Sequence, residues 1–252
     1  MSITTHTGSP PRRSALERAT AMRLAATEYQ RFGELLRSLH AADWTKPTAC
    51  VLWDVRAMAT HLLGMAEMAA SIREQSRQVK GATRRGGVFI DALTSMQVEE
   101  HAHLSSDEIV SSYLKVGPKA ARGRRRTPGF IRRRPLPQLQ LVGGREERWT
   151  IGYLVDVILT RDPWMHRIDI ALATGAHNVL TAEHDGVIVD DLVSEWAARH
   201  GQPYALRLTG PAGGFWTVGA GGPELELEVT EFCLMISGRA PAEGLAATEV
   251  PF

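Results

Sequence analysis

Asp162-Pro-Trp-Met-His166 sets a carboxylate and an imidazole four residues apart. On a helix, residues i and i+4 share a face. A third donor, His61, sits in an earlier apolar stretch beside Met58, Leu62 and Met65. Three nitrogen and oxygen ligands with one position left open are how catalytic zinc sites are built. Two helices packed side by side would let His61, Asp162 and His166 close on one ion. From spacing alone, a plainer reading fits equally well. Asp before Pro is a common N-cap, with Pro at the first position of a restarted helix. A lone His on an apolar face is commonly a satisfied core residue, although a buried ring without a partner is costly. Asp169, one turn beyond His166, suits either an outer partner for its second ring nitrogen or a surface pair with Arg167.

These residues need helices to carry them. Ser14-Ala-Leu-Glu17 has the form of a capping box. Leu16, Ala19, Met22, Ala26, Tyr29, Phe32, Leu36 and Leu39 follow at helical steps. Asp54 is a plausible N-cap for a second helix, apolar on most sides from Val55 to Ile72, which belongs inside a bundle. Gly86-Gly87 breaks the pattern, and a third helix, in one or two pieces, covers about 88–121. Residues 122–145, rich in Arg, Pro and Gly, read as a long loop. A fourth helix begins near Trp149 and stops at Gly175, with Pro163 kinking or restarting it. Four amphipathic helices with long crossovers predict a four-helix bundle over 14–177. Beyond it, 178–252 reads as a small α+β domain. A helix covers Ala182 to His200, and a closing helix covers Glu231 to Ser237. Strands at Tyr204–Leu208, Trp216–Val218 and Leu225–Val229 predict a three-stranded antiparallel sheet, with Gly219–Pro223 as the hairpin turn between the last two. Residues 1–13 read as a disordered tail.

A chain of 252 residues can hold two domains. No apolar run approaches the roughly 18 residues of a membrane span, and the polar N-terminus is not a signal peptide. Cys50 and Cys233 lack Cys-x-x-Cys spacing and read as reduced core thiols, which fits a reducing cytoplasm. The formal charge of +1 hides an asymmetry: Lys115–Arg148 holds eleven of the 29 basic residues and two of the 28 acidic ones. Arg124-Arg-Arg126 and Arg132-Arg-Arg134 suit a clamp on a carboxylated ligand or, more simply, a solvated loop. With Phe130 the only aromatic among them and no DNA-reading motif, nucleic acid is disfavoured.

The pattern as a whole resembles the mycothiol-dependent maleylpyruvate isomerase family, within the larger DinB-like group of metal-binding bundles. Thr48-Ala-Cys50-Val-Leu-Trp53-Asp-Val55 followed by His61-Leu62 carries the first part of the likeness. Trp149 to Asp156 and Arg161 to Ala171 carry the second. Glu231-Phe-Cys233, Ser237-Gly238-Arg239 and Val250-Pro-Phe252 carry the third. The resemblance is weakest over about 76–148. It implies a DinB-like four-helix bundle followed by a sterol-carrier-like domain. It implies a divalent metal, often zinc, held at the positions of His61, Asp162 and His166. It also implies mycothiol, the low-molecular-weight thiol of actinobacteria, for which no binding motif is readable here. The best-known member carries Glu where this chain has Asp162. The shorter side chain would seat the ion differently or suit another metal.

A three-ligand ion leaves room for a thiol or a water. A coordinated thiol loses its proton to the ion's charge. The thiolate can add to an electrophilic alkene, permit rotation and leave, or stay attached as in S-transfer; a coordinated water supports hydrolysis instead. Arg239 either reaches this site as a cofactor-binding residue or neutralises the end of the last helix, the second being the simpler role. The expected partners are a small thiol and an electrophilic substrate. A homodimer is compatible with the resemblance, though no apolar stripe marks an interface. The reading from another class is a non-catalytic module that sequesters an apolar or thiol ligand, and its binding would be indifferent to a chelator.

Overall fold

The computed structural model describes residues 10–51 and 53–252. The structure is mostly helical with a small sheet-containing unit at its C-terminal end. Helices α1 (Arg18–Ser38), α2 (Val55–Ala70), α5 (Ser106–Arg126) and α8 (Leu159–Thr174) carry one core. In it α2 packs on α5 and α8, and α1 packs on α5 and α8. Phe32, Leu36, Met58, Leu62, Ile109, Tyr113 and Ile170 fill the space between them. The expected Asp54 cap forms: its carboxylate accepts from the Ala57 N–H at 2.7 Å, satisfying a donor that the first turn leaves free. The expected Ser14 cap does not. The α1 helix starts only at Arg18, and the Ser14 hydroxyl bonds to the Leu16 carbonyl. The 1–13 tail falls, up to residue 9, outside the described residues. Beyond them Arg12 exchanges backbone bonds with Arg148 and Thr150 and pairs with Glu147.

One helix sits where the sequence reading had none, and the third expected helix comes in two pieces. Ser71 ends α2 and caps α3 (Ile72–Arg85), so Ile72 lies outside α2 and is exposed. The third predicted helix is α4 (Phe89–His101) and α5, separated by a Ser105–Glu108 capping box. The helix α3 packs on α4, and both lean on α2.

The loop expected over 122–145 is largely ordered structure. Arg122–Arg126 are the last turn of α5, Gly129–Arg132 form a single turn, α6, and Gln140–Val142 (β1) pairs antiparallel with Arg145–Glu147 (β2). The turn is Gly143-Gly144, both at positive φ, which a two-residue hairpin of the mirror-image type requires. Three-residue strands are too short to leave a readable alternation. The Arg run divides by burial. Arg124 and Arg132 are buried, while Arg125, Arg126, Arg133 and Arg134 are exposed.

Arg124 explains how Pro163 survives inside α8. After α7 (Ile151–Tyr153) the chain makes a π turn over Leu154–Ile158, in which the Leu159 N–H bonds five residues back to Leu154. That leaves the Val155 carbonyl without its usual donor. Pro163 lacks an N–H and strips the Leu159 carbonyl of its donor in the same way. Arg124 donates to both, at 2.9 Å from Nε to Val155 and 2.7 Å from Nη1 to Leu159. A third bond reaches Thr160 Oγ1. The helix therefore runs on without a restart, and Asp162 is not an N-cap.

The C-terminal unit contains α9 (Val187–His200), strands β3 (Tyr204–Thr209), β4 (Gly214–Val218) and β5 (Glu224–Glu228), and α10 (Val229–Ile236). The expected all-antiparallel sheet is corrected to a mixed one. Its order is β4-β3-β5, with β3 antiparallel to β4 and parallel to β5. The Gly219–Pro223 segment is therefore not a hairpin turn. It arches over Pro203 at the start of β3, where Gly219 and Gly222 lie too close for a side chain. The physical reason is burial. Tyr204, Leu206 and Leu208 make β3 the most apolar strand and draw it to the centre. The exposed Glu224, Glu226 and Glu228 suit β5 to an edge. This unit shares its core with the helices: Leu24, Trp164, Met165 and Ile168 pack with Leu192, Trp196, Leu206 and Phe232. Accordingly α8 is a wall common to both cores, and it is buried along nearly its whole length.

Candidate metal centre

Asp162, His166 and Asp169 line up along α8, on the side that faces α2 and the end of α10. His61 comes to them from the middle of α2. Its Nε2 lies 3.5 Å from one Asp162 oxygen, and His166 Nε2 lies 3.2 Å from the other. Both imidazoles are buried, and the Asp162 side chain is 15% exposed. Around a tetrahedral ion with bonds of about 2.0–2.1 Å, ligand atoms are roughly 3.3 Å apart. The two rings meet different oxygens of the one carboxylate, and the three ligand atoms lie within 4.8 Å of one another, near enough to gather around one divalent cation.

The far nitrogen of each ring is held. His61 Nδ1 lies 2.8 Å from Gln97 Oε1. The Gln97 amide is oriented by its other end, which donates to Gln78 Oε1 at 2.8 Å; Gln78 in turn donates to the Gly64 carbonyl at 3.0 Å. Each amide in this chain has one consistent orientation, so Nδ1 of His61 carries the proton and Nε2 presents its lone pair. Gly64 makes room for it, since a Cβ there would meet Gln97 at 2.6 Å. His166 Nδ1 is held by Asp169 Oδ2 at 3.0 Å. The surface pair between Asp169 and Arg167 does not occur. Asp169 is fully buried, and it also accepts from Arg239 Nε at 3.0 and 3.1 Å. Held outer nitrogens of this kind are the usual support of a metal-binding histidine. Replacing Gln97 with Leu is expected to weaken zinc binding about 10–100-fold with helix content intact. Unchanged affinity in a competition titration would remove Gln97 from the site.

Charge is concentrated here. Burial alone would raise the Asp162 carboxyl and lower the His166 ring. The facing groups outweigh it: His61 and His166 hold Asp162 well below the usual carboxylate range, and Asp162, Asp169 and Cys50 hold the His166 imidazole well above its ordinary value. A protonated His166 thus pairs with a carboxylate at each ring nitrogen. Its stabilising contribution is complete below the ordinary value of 6.5 and is lost as pH rises through the raised one.

Arg239 pairs with Asp169 and so reaches this site. Its two terminal nitrogens have no hydrogen-bond partner among the described residues, and its side chain is 13% exposed. Two further neighbours were not placed in the site from sequence. The Trp53 ring lies 4.9 Å from that of His61 and 5.7 Å from that of His166, covering both. Cys50, read as a core thiol, is half-buried with Sγ 3.9 Å from Asp169 Oδ2. Cys233 is buried, and burial pushes its thiol up. Gln97 left a faint signal, a polar residue amid Leu93 and Met96 on the buried face of α4.

Residues 25–171 match the family model of the mycothiol maleylpyruvate isomerase N-terminal domain. The chain belongs to this family. Among solved structures, one of the mycothiol-dependent maleylpyruvate isomerase is similar to this chain with a TM-score of 0.57 at 15% identity, covering 89% of this chain and 90% of that one. A mutant of that isomerase gives a TM-score of 0.56 at 14% identity over the same shares. At such identity the likeness speaks for the fold. No curated protein matches the sequence. The family segment contains Cys50, Trp53, His61, Gln97, Asp162, His166 and Asp169, whereas Arg239 comes from beyond it.

Other parts of the likeness serve the fold. Arg161 ties α8 to Glu195, Asp191 and the Pro251 carbonyl, and Trp164 stacks on Phe252. A second buried cluster, Glu28, His184 and Asp185, also brings ligand-type atoms together. Its carboxylates are already neutralised by Arg167 and Arg31, so it is an ionic clamp between α1, α8 and the start of the C-terminal unit. A cleft of about 650 Å³ opens near Lys46, Thr174 and His177, and none of the site residues lines it. No helix among the described residues is long and apolar enough to cross a membrane.

Proposed function

We propose that this chain is a metal-dependent, mycothiol-dependent enzyme of the maleylpyruvate isomerase type, acting on a small electrophile by isomerisation or S-transfer. The observation that carries the reading is the meeting of His61 Nε2, His166 Nε2 and the Asp162 carboxylate, with both outer ring nitrogens held. The packing of α1, α2, α5 and α8 supports the DinB-like four-helix bundle, with the sterol-carrier-like unit following from about residue 178. His61, Asp162 and His166 would hold the ion, with zinc suited to two imidazoles and one carboxylate. When bound, a divalent ion supplies the charge that keeps a coordinated thiol deprotonated at neutral pH.

The chain's own groups do the rest. Gln97 and Asp169 fix the rings. Trp53 screens them from water. Arg239, anchored through Nε on Asp169, offers its free nitrogens as a fork for a carboxylate of the thiol or substrate. An ion that takes the His166 Nε2 lone pair competes with a proton there, so zinc affinity is expected to rise with pH, with proton release on binding. Calorimetry in buffers of different ionisation enthalpy measures that release, and uptake without protons would contradict the ligand set. Elemental analysis of the purified protein, followed by a thiol titration, tests the reading as a whole. Turnover that needs both metal and thiol supports it. Tight ligand binding indifferent to a chelator would make the protein a sequestering module instead.

A further inference from the structure

Tyr113 projects from α5 into the helical core, with its ring 5.0 Å from Phe32 and 6.3 Å from Tyr29. It is fully buried, and its hydroxyl has no hydrogen-bond partner among the described residues. Leaving a buried hydroxyl unbonded is destabilising, and Phe would fill the same space without that cost. A polar group kept in such a place calls for an explanation.

The hydroxyl's surroundings supply one. A cavity of about 10 Å³ lies between Tyr113, Tyr29, Leu159, Pro163 and Asp162. That volume holds roughly one water, provided the walls offer it two or more polar partners. Tyr113 and Asp162 both line the cavity and carry such groups, as does Tyr29. The carboxylate has capacity to spare, since an ionised Asp accepts at about four lone-pair positions and two of these face His61 and His166.

Resting on the metal-site reading above, we propose that Tyr113 is a positioning residue of that site. Its hydroxyl donates to one enclosed water, and the water donates to Asp162. This link fixes the rotation of the carboxylate in addition to its contacts with the two histidines. It ties α5 to the centre, although α5 contributes no ligand of its own. Leu159 and Pro163 also line the cavity, and they belong to the segment whose freed carbonyls are held by Arg124 from the same helix. One helix thereby sets both the local backbone of α8 and the orientation of its carboxylate.

Tyr113→Phe decides the matter, because the two readings predict opposite signs. If the hydroxyl is an orphan, removing it leaves the melting temperature of the chelator-treated protein unchanged or higher. If it holds Asp162 through water, that temperature falls by about 2–4 °C, and zinc affinity drops about tenfold, as for other outer supports of metal ligands. An unchanged or raised melting temperature would overturn the proposal. So would wild-type zinc affinity in the variant, provided the wild type binds zinc. A wild type that takes up no zinc sinks the metal reading itself. The melting comparison, made without metal, still decides whether Tyr113 holds Asp162.

Discussion

His166→Ala is expected to lower zinc affinity by about 10²–10³-fold. The size follows from the roughly 10–16 kcal/mol with which proteins hold a four-ligand zinc, divided among its ligands at about 1.4 kcal/mol per decade. A competition titration against a chromophoric chelator measures the change. Elemental analysis of the purified variant should then find little zinc. The loss should be one of coordination and not of fold, because Asp169 keeps its bonds to Arg239 when the imidazole is gone. His61→Ala should behave alike, as the two rings face the same carboxylate. Full zinc occupancy in either variant would refute the ligand assignment.

Arg167→Ala should be the most damaging change to the fold. The Arg167 guanidinium is buried and bonds to Glu28 at 2.8 Å and to Asp185 at 2.6 Å, both equally buried. Removing it leaves two carboxylates out of water, with Arg31 the remaining cation beside Asp185 and His184 beside Glu28. Breaking a buried pair from one side costs about 3–5 kcal/mol. In a chain of this size each kcal/mol moves the melting temperature by about 2–4 °C, so a fall of roughly 6–20 °C is expected. A fall below about 2 °C would mean that the cluster contributes no net stability. The same clamp has a pH signature. Burial alone would raise the Asp185 carboxyl, but Arg167 and the Thr181 N–H outweigh it and leave it lowered. Its stabilising contribution is therefore complete above the ordinary value of 3.8 and is lost as pH falls below it. Acid titration of the Arg167 variant should lack that part of the transition.

Several elements were legible in the residues because their causes are local. Asp54 caps α2 wherever α2 goes, and Gly175 stops α8 as expected. His61, Asp162 and His166 could be named as a set because the i, i+4 spacing and a polar ring in an apolar helix are visible in one dimension. The family likeness supplied the pairing of the two segments, which spacing alone left open.

The misreadings share a cause as well, for each element answers to something distant in sequence. Pro163 reads as a helix break until Arg124, 39 positions earlier, supplies the missing donors. The Arg run reads as a loop because the helical face of its first part is set by the packing of α5 on α2 and α1 rather than by its own composition. The strand order cannot be read from alternation, since β4 and β5 look like neighbours until β3 takes the buried centre. Gln97, Gln78 and Tyr113 carry no motif. Their roles come from amide and hydroxyl groups shut away from water, where each polar atom must find a partner. Local spacing and capping thus chose the donors and most of the helices. Which donors meet, and what holds them, was decided by the packing of α2, α4, α5 and α8, because hydrogen bonds and charge pairs across helices depend on distances that no local pattern encodes.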